Sequence, residues 1–289
     1  MPTLGSPLPG KSVPPQPPRP GLRGNYTDAR PDYRIPQQWS HYSSDEHALW
    51  QLLYARQLRL VRRYACPEFL AALQKLDAGG GIPRFDSVNR KLRRTTGWEV
   101  VGVPGLIPDR EFFEHLAHRR FPVTVWLRTP QEFDYIVEPD LFHDFFGHVP
   151  LLLDPVYAEH LQAYGAGGLK ALPLGGLPYL ARLYWYTIEF GLVRTAAGVR
   201  AYGAGLLSSG AELPYALLDP RPRRLAFDLL RVMRTEYRID SLQPLYFVIE
   251  SFAQLLSDTA PDFTPYYAHL AQLPALQCGE TVAEDRILL

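Results

Sequence analysis

Between Glu138 and Pro150 the chain reads EPDLFHDFFGHVP, and this stretch restricts the fold more than any other. Its phenylalanines, and Leu151 to Leu153 just beyond it, demand burial, yet the same few residues carry His143, His148 and three acids. Buried polar groups need partners, so a fold that accepts this segment must supply hydrogen bonds, counter-charges or a metal ion. Two readings are open: core histidines bonded to the backbone, or ligands of one ion. Spacing bears on the choice. Five residues advance a regular helix by about 500°, which would point the two imidazoles about 140° apart. Both reach one ion only if the helix ends or distorts between them, and Gly147 and Pro150 supply such a break. The helical zinc-hydrolase signature instead spaces its histidines four apart, with a glutamate after the first; here Asp144 occupies that place.

A third ligand should be an acid that a core would not otherwise tolerate. Glu189 is the only acid in LPYLARLYWYTIEFGLV and lies between Ile188 and Phe190. Unpaired there, its carboxylate would cost several kcal/mol. Either Arg182, two turns earlier, neutralises it, or a cation does. Two histidines and one carboxylate form a facial set that leaves positions open on ferrous iron, and the same donors also hold catalytic zinc.

The rest of the chain sets the frame. Thirty basic residues balance thirty acidic ones among 289, so no global field attracts nucleic acid or an anionic membrane, and a small molecule is the expected partner. Cys66 and Cys278 are far apart, which argues against a disulfide framework or thiolate cluster and for a reducing, cytoplasmic setting. No apolar run approaches the ~20 residues that cross a bilayer. Residues 1–35 are rich in proline and glycine and read as a disordered arm dispensable for chemistry. Within the arm, GSPLPGKS (Gly5–Ser12) matches the phosphate-loop pattern only formally, because Pro7 and Pro9 lack the N–H groups that loop requires.

Residues 36–289 read as one mainly α domain with a few short strands. A helix opens at Ser43 or Ser44, a second runs from Pro67 to the glycines at 79–81, and later ones lie in PVYAEHLQAYG, LPYLARLYWYTIEFGLV, RRLAFDLLRVMRTEYR and PLYFVIESFAQLLSD. WEVVGVPG and FPVTVWLR read as strands.

Taken together, EPDLFHDFFGHVPLL, LYWYTIEFGL, AYGAGLLSS and QPLYFVIESF resemble the aromatic amino acid hydroxylases, over residues 45–259 and most nearly their short bacterial phenylalanine-hydroxylating members. The resemblance implies a catalytic domain that binds Fe(II) through His143, His148 and Glu189 and uses tetrahydropterin and O₂ to hydroxylate an aromatic ring. Gly105, Leu106 and Ile107 would meet the amide edge of the pterin, Phe112 would stack on it, and Asp144 and Ala181 would complete that pocket. Taken alone, Phe112 could equally be a core aromatic of the helix from Asp109. Glu138 corresponds to an acid lining the channel near the iron, though with Asp140 it also suits a helix N-terminus.

By the same resemblance Arg128 reads the substrate carboxylate with a bidentate guanidinium, Ser208 assists, and Trp185 and Pro139 wall the aromatic pocket. Val248 matches phenylalanine-hydroxylating members rather than tyrosine-hydroxylating ones; tryptophan remains an alternative substrate. Ile136-Val137 departs from the Thr-Pro of animal members. A tetramerising heptad helix is missing from the C-terminal PALQCGETVAEDRILL, so a monomer is expected.

Overall fold

A computed structural model describes residues 17–260 and 262–288. The phosphate-loop look-alike and the first part of the arm lie outside the described residues. Helix α1 (Ser44–Tyr64) starts on a reciprocal cap, in which the Ser43 side chain accepts from the Glu46 amide and the Glu46 carboxylate from the Ser43 amide. Helix α2 (Pro67–Leu76) ends before the glycine run, because Asp77 adopts the left-handed conformation at φ +52° and stops it. After α3 (Phe85–Thr95), the strands β1 (Glu99–Val103) and β2 (Arg120–Thr124) flank α4 (Asp109–Ala117) and pair in parallel, Glu99 against Arg120 through Val103 against Thr124.

The metal-type segment follows, leading into α5 (Pro155–Ala171) and α6 (Leu177–Tyr184). Strands β3 (Leu192–Thr195) and β4 (Gly198–Ala201) form an antiparallel hairpin; α7 (Ala204–Ser208) and α8 (Glu212–Leu218) come next. Then β5 (Arg223–Ala226), α9 (Leu229–Arg234), β6 (Leu245–Ile249), α10 (Phe252–Thr259) and α11 (Thr264–Leu270) complete the order. The second sheet runs β4-β3-β6-β5, with β6 parallel to both neighbours.

This sheet corrects two of the helices expected from sequence. PLYFVIESFAQLLSD is a strand followed by a helix, and RRLAFDLLRVMRTEYR likewise begins as β5. Every residue of β6 is buried between its neighbours, so the run shows no polar alternation, and a short continuous apolar run does not distinguish strand from helix.

The arm is also shorter than composition suggests. Tyr26 is buried and its hydroxyl donates to Leu106 O at 2.7 Å, while Ile35 N–H donates to Gly102 O at 2.8 Å. The segment is therefore anchored at Tyr26 to the loop after β1 and at Ile35 to β1 itself. Tyr26 contributes a large aromatic surface to that contact, and residues 23–35 contain only one proline, Pro31, so the composition that marks the arm ends before them.

Candidate active site

The break expected between His143 and His148 takes the form of a π-helical segment, His143–His148, with no interruption of the helix. Hydrogen bonds running i to i+5 place residues five apart one above the other, so the two imidazoles share a face. The opposite face is anchored by aromatic packing: Phe142 stacks on Phe146 at 5.0 Å, and Trp50 meets Phe142 edge-on at 5.3 Å. Gly147 serves close approach, because a Cβ there would lie 2.8 Å from Ala204 Cβ and push α7 away. A second π-helical segment, Trp185–Glu189, continues α6 and delivers the third donor. π-Turns inside helices often mark functional sites, and here both ligand-bearing segments contain one.

Glu189 does not pair with Arg182, which bonds Glu236 and Met233 O instead. Its carboxylate lies 3.1 Å from His148 Nε2 and 3.6 Å from His143 Nε2. The three candidate donor atoms all fall within 4.8 Å of one another. Donors about 2.1 Å from one ion stand roughly 3 to 3.5 Å apart, so the set fits a single divalent cation. Burial works to raise the pKa of Glu189, but the two imidazoles and the Gly205 amide outweigh it, and the carboxyl is held below its usual range, ready to ligate.

Supporting contacts fix the donors. Ser208 Oγ donates to Ala204 O at 2.8 Å, so it accepts from His143 Nδ1 at 2.9 Å. That leaves the lone pair of His143 on Nε2, facing Glu189. The hydroxyl assigned to the substrate is thus occupied by a metal ligand. Asp140, fully buried, accepts from the His143 amide at 3.0 Å as a helix N-cap does, and grips Arg128 through its amide (2.9 Å), Nε (2.9 Å) and Nη2 (2.8 Å). The guanidinium edge expected to meet a substrate carboxylate is therefore already bound, and among the described residues only Nη1 lacks a protein partner. Asp140 is a supporting residue that sequence reading undervalued: it was placed only as a charge at a helix N-terminus, and its hold on Arg128 was not visible.

Asp144 Oδ2 accepts from the Thr124 amide at 2.8 Å and ties the ligand segment to β2. Burial pushes this carboxyl up, against the pull of His143 and His148. Glu138 is half-buried and accepts from the Arg23 amide at 3.1 Å. Phe113, its neighbour Phe112 and Tyr184 clarify the aromatic question. Phe113 is the core residue, whereas Phe112 is only partly buried and meets Tyr184 edge-on at 5.7 Å; Tyr184 in turn lies 6.3 Å from the His148 ring. Tyr184 escaped notice because an aromatic inside an apolar helix looks like packing. Gly105, Leu106 and Ile107 form the loop between β1 and α4, Ala181 is exposed on α6, and Pro139 directly precedes Asp140. Trp185 stacks on Tyr237 at 4.5 Å and donates to Gln243 Oε1 at 3.1 Å.

The fold and site define a mononuclear metal enzyme of the two-histidine, one-carboxylate type. The family model of the biopterin-dependent aromatic amino acid hydroxylases matches residues 22–269, and the chain belongs to that family. It is 54% identical over 258 residues to a phenylalanine-4-hydroxylase of Chromobacterium violaceum, covering 89% of this chain and 87% of the relative. It is 55% identical over 260 residues to that of Ralstonia nicotianae, covering 90% and 83%. Among solved structures, the C. violaceum enzyme with bound oxidised Fe(III) superposes with a TM-score of 0.87 at 55% identity, covering 89% of this chain and 94% of that one. The cobalt-bound form gives 0.88 at 53%, covering 93% and 96%. His143, His148 and Glu189 form the metal-binding site of a pterin-dependent hydroxylase. Among the described residues no helix is long and apolar enough to cross a membrane.

Proposed function

We propose that this chain converts L-phenylalanine to L-tyrosine, with Fe(II) held by His143, His148 and Glu189. The observation that carries the reading is the convergence of two imidazole nitrogens and one carboxylate, with a neighbouring serine that fixes one imidazole's tautomer. When bound, iron and tetrahydropterin would supply the reductive activation of O₂, the pterin giving two electrons and the ring C–H bond two, so that one oxygen atom ends in the ring hydroxyl and the other at the oxidation level of water. The protein's residues position and exclude water. Gly105, Leu106 and Ile107 read the pterin's amide edge and Phe112 its face, with Asp144 and Ala181 closing that pocket. Arg128, held rigid by Asp140, offers Nη1 to the amino acid's carboxylate. Pro139 and Trp185 wall the ring pocket, and Glu138 lines its approach.

Val248 lies in β6, apolar and 1% exposed, which favours phenylalanine over a ring carrying a hydroxyl. A hydrolase reading needs a free base beside His143, and Asp144 is engaged by Thr124 instead. Residues after α11 fold back on the domain, Leu276 bridging to Thr235 and Ile287 to Leu225, in keeping with a monomer, which light scattering tests. The free thiols of Cys66 and Cys278 suit a reducing cytoplasm. The decisive assay supplies Fe(II), tetrahydropterin, O₂ and phenylalanine to metal-free protein and detects tyrosine; activity restored by zinc and not by iron would sink the proposal.

A further inference from the structure

Three donors take alternate carbonyls along the chain after the middle of β1. Ile35 N–H donates to Gly102 O at 2.8 Å, the Trp126 indole to Pro104 O at 3.0 Å, and the Tyr26 hydroxyl to Leu106 O at 2.7 Å. A trans peptide is planar, with its C=O and N–H pointing in opposite directions, and the described residues contain no cis bond. Fixing the carbonyls of Pro104 and Leu106 therefore fixes the N–H groups of Gly105 and Ile107 on the far side. Among the described residues neither amide has a protein acceptor.

The seat of Tyr26 is closely fitted. The residue is 5% exposed. Gly24, at φ +103°, passes so near the loop that a Cβ would lie 1.8 Å from Pro104 O, and a Cβ on Gly105 would stand 3.0 Å from the Tyr26 hydroxyl. Arg23 secures the other side: its amide donates to Glu138, its guanidinium pairs with Glu132, and it lies 5.1 Å over the Trp126 ring. Burial first, then the nearby Glu138 and Tyr33, holds the phenol up at about 12, so it remains a donor at any physiological pH.

We infer that Tyr26 is a positioning residue of the cofactor loop, aiming the Ile107 N–H at the pterin through its bond to the Leu106 carbonyl, with Arg23 and Gly24 keeping it seated. The inference rests on the reading that Gly105 to Ile107 meet the pterin. The test uses full-length, iron-loaded protein. In Tyr26→Phe, which removes only the hydroxyl, the KM for tetrahydropterin should rise about three- to tenfold, the worth of one hydrogen bond, while the KM for phenylalanine, kcat and iron content hold. Gly24→Ala, which lifts the segment and leaves the hydroxyl intact, should shift the same constant.

Hydrogen exchange of wild-type protein with dihydrobiopterin separates the two levels of the argument. Protection of residues 105–107 in the wild type, weakened in Tyr26→Phe, supports the inference. Protection in the wild type with an unchanged pterin KM in Tyr26→Phe, or with both KM values rising together alongside a lower melting temperature, overturns it alone. No protection of 105–107 in the wild type overturns the loop reading and the inference with it.

Discussion

Two buried histidine environments in this protein look alike in sequence and differ in chemistry. In the metal site, His143 and His148 turn Nε2 toward one carboxylate. In α5, His160 is as buried as His148, but its Nδ1 bonds Thr259 Oγ1 at 2.8 Å and its Nε2 has no polar partner among the described residues. Thr259 itself donates to Leu255 O, so His160 is the donor and only fastens α5 to α10. Burial thus says little about ligation. The distinguishing feature is convergence: lone pairs aimed at a common point beside an acid, with the remaining nitrogen of His143 held by a hydrogen bond.

The largest effects should come from breaking the convergent set. His148→Ala and Glu189→Ala should each abolish both iron binding and tyrosine formation while circular dichroism stays native; near-normal iron content and turnover in His148→Ala would erase the distinction drawn here. Next comes substrate reading. Arg128→Lys should weaken phenylalanine about ten- to a hundredfold through the lost charge-assisted bond, with iron unchanged. Phenethylamine, which lacks the carboxylate, is the control: an equal loss for both would show that Arg128 supports the pocket instead. Because Arg128 and Asp140 form a buried pair, the melting temperature must be followed in parallel.

Ser208→Ala should have a smaller effect. Removing the acceptor of His143 Nδ1 should weaken iron about tenfold, with partial recovery in Ser208→Thr, as read by metal competition. The smallest catalytic effect belongs to His160→Leu, which should keep iron and kcat but alter acid stability. Burial pushes His160 down to about 3 from 6.5, so the unfolded chain takes up a proton that the native one refuses. The stabilisation from the neutral imidazole is present above about 6.5 and is lost as pH falls toward about 3. Denaturant titrations from pH 7 to 4 should therefore be flatter for His160→Leu than for wild type. An identical slope would assign the acid sensitivity to other groups.

By itself the sequence determined the ligand set, the mainly helical class, the start of the first helix and the existence of strands β1 and β2, because each follows from local chemistry: an acid without an apolar excuse, serines ahead of a helical apolar period, β-branched runs. Tertiary structure alone decided what each supporting side chain touches. A distortion between His143 and His148 was legible in their spacing, but its form as a π-turn, and the second π-turn at Trp185–Glu189, depend on packing against Trp50 and α7. Strand β6 was hidden because burial on both faces erases alternation, and the seat of Tyr26 because a short segment's partner lies 80 residues away. Asp140 shows the division within one residue: its place as a charge at a helix N-terminus is legible in the chain, whereas its grip on Arg128 exists only once β2 and the ligand helix meet. Hydrogen bonds between distant segments depend on where the fold brings backbones together, and no periodicity in the chain encodes that.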